Sequence, residues 1–125
     1  MIQDDIKIGQ VIQALDEYRL VLNRGLNDGV RSGDRFLIFA LGAELKDPET
    51  GEGLGRLEVV RGTGTVVHVQ ERMATIQSDA FETTSPRTIK RGPSIFGTEE
   101  VVEGRRERLP FRGASIGDQA KHIGR

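Results

Sequence analysis

The chain of 125 residues has no cysteine, no tryptophan, one tyrosine and five phenylalanines. Without cysteine it can form no disulfide framework, thiolate zinc site or cysteine nucleophile. Its longest strictly apolar run, Phe36–Leu41, is far shorter than the roughly 20 residues of a membrane-spanning helix. The first residues are acidic, whereas a signal peptide begins with positive charge. These absences predict a soluble, cytoplasmic protein, and the length favours one domain.

Positive and negative charges are nearly balanced, and the formal net charge is −1. No overall field therefore attracts nucleic acid or a membrane surface. The balance is uneven along the chain, because residues 1–79 are net acidic and residues 80–125 are net basic. Glycine is abundant, with 16 residues and no strict repeat, which predicts many turns.

Residues 8–79 have the pattern of short β-strands separated by turns. In Tyr18–Asn23, polar and apolar residues alternate with the period of two that marks a strand. Arg35–Leu41 is apolar on both faces, which is typical of a strand buried on both sides or bent at a barrel corner. Six such strands at a spacing of roughly 8–12 residues favour a sandwich or a small barrel. The others are predicted at Gly9–Leu15, Leu54–Val60, Thr63–Gln70 and Met73–Gln77.

The predicted fold is all-β: an SH3-like, closed β-barrel of about six or seven short antiparallel strands with a long irregular C-terminal excursion. Residues 1–79 form the barrel, residues 80–108 an extended polar arm or long loop with proline and glycine, and residues 109–125 the closing strand and tail. The closing strand is placed at Gln119–Ile123 because the glycine–aspartate rhythm of residues 29–38 recurs at residues 113–123. The expected core is Leu20, Leu22, Phe36, Ile38, Val67, Val69 and Ile76.

Two turn-rich stretches resemble a known family. They read NRGLNDGVRSGDRF over residues 23–36 and KDPETGEGLG over residues 46–55. Together they resemble the C-terminal domain of the flagellar assembly protein FlgT and small stand-alone prokaryotic or phage proteins that share it. The resemblance covers residues 8–79 and the closing strand. It implies a small β-barrel used as a binding or assembly module, and it implies no catalytic residue.

No pattern in the chain indicates a catalytic, cofactor-binding or metal site, so the sequence predicts a protein that is not an enzyme. Asp47, Glu49 and Glu52 could offer oxygen ligands, but a hairpin turn accounts for all three. His68 and His122 have no partner at a telling spacing. The glycines of residues 25–33 and 62–64 lack the phosphate-loop pattern and are interpreted as turn or bulge positions.

The predicted partner-binding residues lie in or next to the 80–108 arm. They are Ile95, Phe96, Arg105, Arg106, Arg108 and Arg112. Neighbouring glutamates cancel much of the positive charge, so a solvated, self-paired stretch also accounts for these arginines. The predicted partner is another protein, or a further copy of the chain, bound through the arm; nucleic acid is the less favoured partner. The sequence therefore predicts a non-catalytic protein-interaction or assembly module, such as a structural component of a larger assembly, viral assemblies included. The alternative is a small barrel that binds nucleic acid.

Overall fold

The computed structural model describes residues 5–83, 87–90, 99–102 and 104–125. Within these ranges the chain forms strands joined by turns and a single turn of 3-10 helix at Leu26–Asp28. No helix in the described ranges is long and apolar enough to cross a membrane. The strands are β1 (Gly9–Ala14), β2 (Arg19–Leu22), β3 (Arg35–Lys46), β4 (Gly53–Val69), β5 (Ala74–Ser78), β6 (Phe81–Thr83), β7 (Arg87–Lys90), β8 (Glu99–Val102), β9 (Arg106–Arg108) and β10 (Gln119–Gly124).

Six of these strands close into an antiparallel barrel in the order β1-β10-β3-β4-β5-β2. The prediction of an all-β closed barrel is therefore confirmed. The last strand, β10, lies between β1 and β3, where it pairs with both and hides two sheet edges at once. The remaining four strands form two small antiparallel pairs, β6 with β9 and β7 with β8, inside the segment that was expected to be an arm or long hairpin.

The barrel has an internal two-fold relation between β1-β2-β3 and β4-β5-β10. If β1, β2 and β3 are exchanged with β4, β5 and β10 respectively, each pair of neighbouring strands in the barrel maps onto another neighbouring pair. The pair β1–β2 maps onto β4–β5, and the pair β1–β10 maps onto β4–β3. The strand registers agree as well. The exchange maps Leu20 onto Ala74 and Ile76 onto Leu22, so the pair Leu20–Ile76 maps onto the pair Ala74–Leu22. Both pairs occur between β2 and β5. The six strands are therefore two similar units, each too small to close on its own.

Each unit enters its last strand through the same glycine–aspartate turn. Gly33 and Gly117 both have left-handed backbone, with φ of 92° and 96°, which glycine adopts without a steric penalty. Gly33 N–H donates to Val66 O at 2.9 Å and Val66 N–H donates back to Asp34 O at 2.7 Å. The second turn repeats both hydrogen bonds: Gly117 N–H donates to Val11 O at 2.9 Å, and Val11 N–H donates back to Asp118 O at 2.8 Å.

The aspartate side chains of the two turns also repeat. Asp34 Oδ2 accepts from Arg31 N–H at 3.0 Å, and Asp118 Oδ2 accepts from Ser115 N–H at 2.9 Å. Both carboxyls are buried, so these backbone donors offset part of their desolvation. The rhythm seen in the sequence is a structural repeat.

The two units differ in what is added to them. The first reaches its turn through residues 23–33 after β2, whereas the second reaches it through residues 79–117 after β5. The β3–β4 hairpin also continues well beyond the barrel, since β10 stops pairing with β3 at Phe39 while β3 and β4 stay paired as far as Lys46 and Gly53. Closure requires neither addition.

The barrel interior holds five of the seven residues expected in the core. Leu20, Leu22, Phe36, Ile38 and Ile76 are all fully buried. The other members of the core cluster come from both units and from the turn before β10: Val11, Val30, Val66, Ala74, Phe111 and Ala120.

Val67 was predicted to be buried, and this prediction is wrong. Its side chain is 48% exposed, while Val66 takes the inward position at 1%. The cause is a bulge in β4, where Val66 lies opposite Ile76 but His68 lies opposite Thr75, so that Val67 has no partner on β5. Val69 is half-buried and packs against the core cluster.

A second bulge lies within β4, at a point where the sequence predicts a break between two strands. Separate strands were expected on either side of Arg61 and Gly62, but β4 is continuous from Gly53 to Val69. Ile38 lies opposite Gly62 and Phe39 opposite Val60, so Arg61 is an extra residue in the ladder. The strand bends there instead of turning back.

We expect Phe36→Ala to destabilise the fold by about 3–5 kcal/mol, because Phe36 is fully buried at the barrel centre. The matched control is Leu54→Ala on the projecting hairpin, where the side chain is 67% exposed and the change should stay within about 0.5 kcal/mol. Urea unfolding of both variants measures the difference. Equal losses in the two variants would contradict this assignment of the core.

Candidate interaction surface

The two additions leave the barrel next to each other. Because β5 runs antiparallel to β4, the chain that leaves β5 at Ser78 heads toward the hairpin end of β4. Both ends of the added segment are then fixed along that strand: Asp79 N–H donates to Thr63 O at 3.2 Å, and Arg112 N–H donates to Arg61 O at 2.7 Å. The added segment and the projecting hairpin therefore begin on the same side of the molecule.

Asp79 fixes the start of the added segment. Its carboxylate accepts from Arg35 Nε at 2.8 Å, from Thr63 Oγ1 at 2.5 Å and from Thr65 Oγ1 at 2.8 Å. Burial alone would raise the pKa of this carboxyl, but the hydrogen bonds from Arg35 and the two threonines outweigh it and lower the pKa from 3.8 to about 2. One side chain thus joins β3, β4 and the first residue after β5.

Phe111 fixes the end of the added segment. Its ring is buried in the core cluster and its N–H donates to Glu17 O at 2.9 Å. The ring lies over two glycines of β4: a Cβ at Gly62 would be 3.1 Å from Phe111 Cδ1, and one at Gly64 would be 3.0 Å from Cζ. These glycines were interpreted as bulge or turn positions, and Gly62 does lie next to the bulge at Arg61, with φ of 139°. Both glycines also leave room for the Phe111 ring, and Gly64 leaves room for Ile76 Cδ1, which would be 2.9 Å from a Cβ there.

Between these two fixed ends, β6 and β9 form a short ribbon with an arginine–aromatic face. The guanidinium carbons of Arg106 and Arg108 lie 4.2 and 4.8 Å from the ring centroid of Phe81. Cation–π contacts at exposed sites contribute about 0.5–1 kcal/mol each. Arg108 also donates from Nη1 to Ser78 O, which holds the ribbon against the end of β5. We call the described residues 80–83 and 104–112 the basic ribbon.

The structure brings together some of the predicted partner-binding residues. Arg106 and Arg108 share one face of β9, and Arg105, directly before that strand, is exposed. Arg112 is also exposed, but it lies at the base of the ribbon, where its carbonyl accepts from Arg61 Nη1 at 3.4 Å. Ile95 and Phe96 lie outside the described residues.

An open groove separates the basic ribbon from the β1–β2 turn. On its barrel side, Arg19 Nη2 and Asp16 Oδ2 form an ion pair at 2.8 Å. The hydrogen bonds from Arg19 and from Tyr18 N–H lower the pKa of Asp16. The groove is lined by Asp16, Tyr18, Arg19, Gln77, Glu107 and Arg108.

The projecting β3–β4 hairpin is the surface that sequence reasoning missed. We define it as residues 41–60. On β4, Leu57 and Val59 alternate onto one face, where Val59 lies opposite Ala40. A Cβ at Gly42 would meet Leu57 Cβ at 3.4 Å and Val59 Cγ2 at 3.6 Å, so this face is continuous across the bulge in β3. The exposed apolar residues of the hairpin are Leu41, Leu45, Leu54, Leu57, Val59 and Val60.

The hairpin is also acidic. It carries Glu44, Asp47, Glu49, Glu52 and Glu58 against Lys46 and Arg56. Arg56 is directed at its own backbone, donating from Nε to Gly42 O at 2.9 Å and from Nη2 to Leu41 O at 3.3 Å. Sequence reasoning had placed a turn at Asp47, and the turn is present. The length of the two strands beside this turn could have indicated a projecting hairpin from the sequence, because they are longer than the strands of a small barrel need to be.

Among the other polar groups considered from the sequence, Asp47 has a structural partner. Asp47 Oδ1 accepts from Glu49 N–H at 2.8 Å within the hairpin turn, and no cluster of three metal-binding side chains occurs in the described part of the chain. His68 is exposed.

His122 has a carboxylate neighbour that its spacing in sequence did not indicate. Its Nε2 lies 3.3 Å from Asp34 Oδ2, and its ring meets Phe36 edge-on, with centroids 5.4 Å apart. Arg125 Nε lies 3.1 Å from Asp34 Oδ1. The pairing follows from β10 lying beside β3, where His122 is directly opposite Phe36. This cluster ties the end of the chain to the first glycine–aspartate turn.

Comparison of the chain with protein-family models and with curated proteins gives no match.

We expect Asp79→Asn to lower stability by about 1–2 kcal/mol at pH 7, a value discounted for partial solvent screening. Because the folded-state pKa of Asp79 is lowered to about 2 from 3.8, its contribution is complete above pH 3.8 and is lost as the pH falls through 2. The stability difference between wild type and variant should therefore shrink over that interval in urea unfolding at pH 2–7. A difference independent of pH would contradict the role of the carboxylate.

Proposed function

We propose that this chain is a non-catalytic protein-interaction or assembly module that binds a protein partner, or a further copy of itself, through the 80–108 arm. The observation that carries the proposal is the asymmetry of the two units. A closed barrel built from two similar halves accounts for the fold, and residues 79–117 are an addition to one half only. Connections that a fold does not need are the usual place for binding residues.

The geometry of the arm supports this reading. Its two ends are held rigidly, by Asp79 at the start and by the buried Phe111 at the end. Between them, the basic ribbon presents Phe81, which is 37% exposed between two guanidiniums. Arginine and aromatic side chains are the types that contribute most of the energy at protein interfaces. A rigid base loses little entropy when such residues engage a partner.

The likeness to the FlgT C-terminal domain and to SH3-like barrels is consistent with the same proposal. The resemblance implies a small β-barrel used as a binding or assembly module, and the fold alone does not assign an activity. We place the protein in the cytoplasm, or in a virion where the larger assembly is viral.

Removing the arm without opening the barrel tests the proposal. Leu109 N–H donates to Ala80 O at 2.8 Å, so an Asn-Gly turn in place of residues 81–108 can join Ala80 to Leu109. This variant should keep its melting temperature but lose partner capture, self-association, or both, by at least tenfold. The readouts are light scattering for self-association and chemical cross-linking for capture.

The matched control for the deletion is Lys121→Ala, on the exposed side of β10. This change should alter neither capture nor self-association. A chain that is monomeric, and whose capture of other proteins is the same with and without residues 81–108, would contradict the proposed function.

One observation favours a second candidate, a nucleic-acid-binding barrel. Arg106 and Arg108 stacked on Phe81 combine positive charge with an aromatic face, which is how single strands are held without base readout. Fluorescence anisotropy with single-stranded DNA and RNA at about 50 mM salt should then show binding that weakens with salt and falls at least tenfold in Arg106→Glu. Absence of binding at that salt concentration would exclude this candidate.

A further inference from the structure

We propose that the projecting hairpin, residues 41–60, binds the basic ribbon of a second copy of this chain, so that two copies form a reciprocal dimer. The inference rests on the proposed assembly function and names the partner for it. It rests on three features of the described residues: an uncovered apolar face, opposite charge on two surfaces of one chain, and the common side from which both surfaces project.

The hairpin presents an apolar face that is exposed in the described part of the chain. Leu41 and Val60 are 41% and 53% exposed, and they share one face of the two-stranded ladder with Glu44 and Glu58. Leu41 lies opposite Glu58 and Glu44 lies opposite Arg56, while Val60 alternates onto the same side of β4 as Glu58. Continuous exposed apolar surface of this kind is typical of an interaction site. The same residues would be buried in a barrel strand, but the ladder between β3 and β10 ends at Phe39.

The charges of the hairpin and the basic ribbon are complementary. The hairpin has five acidic and two basic residues, Asp47 among the acidic ones. The described ribbon has four arginines, namely Arg105, Arg106, Arg108 and Arg112, against Glu82 and Glu107. A net charge near zero for the whole chain hides this separation. Complementary patches of this kind set the register of an interface and suppress wrong partners.

The position of the two surfaces favours a closed dimer over an open chain of copies. Both begin beside residues 60–64 of β4 and project from the same side. A two-fold axis on that side places each hairpin against the ribbon of the other copy, so the contact forms twice. Two-fold dimers are the commonest homo-oligomers. Hairpin and ribbon together reach the roughly 20–30 residues that each side of a standard interface uses.

Charge reversal in mixed pairs tests the contact. One variant carries Glu44→Lys and Glu58→Lys, which reverses the charged face of the hairpin; the other carries Arg106→Glu and Arg108→Glu in the ribbon. Each variant alone pairs like charges at both contacts, so its dimerisation should weaken at least tenfold at about 150 mM salt. Mixed at equal concentration, the two variants restore opposite charges at both contacts and should form a heterodimer with an affinity within tenfold of wild type.

Two further variants keep the test decisive. Val60→Ser removes part of the exposed apolar face that carries Glu44 and Glu58, so it should weaken dimerisation while leaving the melting temperature within about 3 °C. The matched charge control combines Glu71→Lys and Arg72→Glu in the exposed β4–β5 turn, far from both surfaces, and should dimerise as wild type does. Circular dichroism confirms that each variant is folded before its mass is measured against the 13.8 kDa of one chain by light scattering.

The outcomes separate this inference from the function on which it rests. A dimer that persists in both charge variants, or a mixture that stays monomeric, overturns the hairpin–ribbon contact. A wild-type monomer that still captures another protein through residues 81–108 also overturns the contact but supports the assembly function. A monomer that binds single-stranded nucleic acid through Arg106, and no protein, overturns both.

Discussion

Closure of the barrel by β10 is the constraint on which the rest of the structure depends. An open sheet of five strands would leave the edges of β1 and β3 unpaired, and exposed edges invite aggregation. The chain avoids this by returning after a long excursion to insert Gln119–Gly124 between them. The return is set by backbone hydrogen bonds at the second glycine–aspartate turn, where Val11 exchanges two bonds with residues 117 and 118.

The two-fold relation explains how such a return can be reliable. The same turn with the same hydrogen bonds already places β3 in the first unit, so a second copy of it places β10 by the same geometry. The barrel therefore tolerates a large insertion between β5 and this turn, because loop closure costs only about 0.6 kcal/mol for each doubling of loop length. Asp79 and Phe111 keep the insertion from disturbing the ladder beside it.

Much of the fold could be predicted from the sequence, because alternation and turn chemistry are local signals. The closing strand and the inward positions of Leu20, Phe36 and Ile76 follow from them. Bulges are where this reasoning fails: one extra residue reverses the side on which every following side chain points. Val67 was assigned to the core for this reason, and the continuity of β4 through Arg61 was missed.

The candidate surface was less accessible from the sequence, since it depends on what the tertiary structure leaves uncovered. Arg106 and Arg108 were identified from charge alone, but their stacking on Phe81 requires the pairing of β6 with β9. The hairpin carried no charge signal strong enough to stand out in a balanced chain. The hairpin's exposed side chains follow from the tertiary structure, because the ladder between β3 and β10 ends at Phe39.

The hairpin also sets a physical limit on an isolated copy. Its two strands continue beyond their barrel neighbours with apolar side chains such as Leu57 exposed to water, and a two-stranded ladder alone is marginally stable. Its charges keep it soluble, and Arg56 satisfies two carbonyls at the bulge, but neither removes the apolar face. An exposed apolar face on a marginally stable ladder is costly for a monomer, and burial against a partner would remove that cost. In the dimer that we propose, the oppositely charged ribbon of a second copy would be that partner.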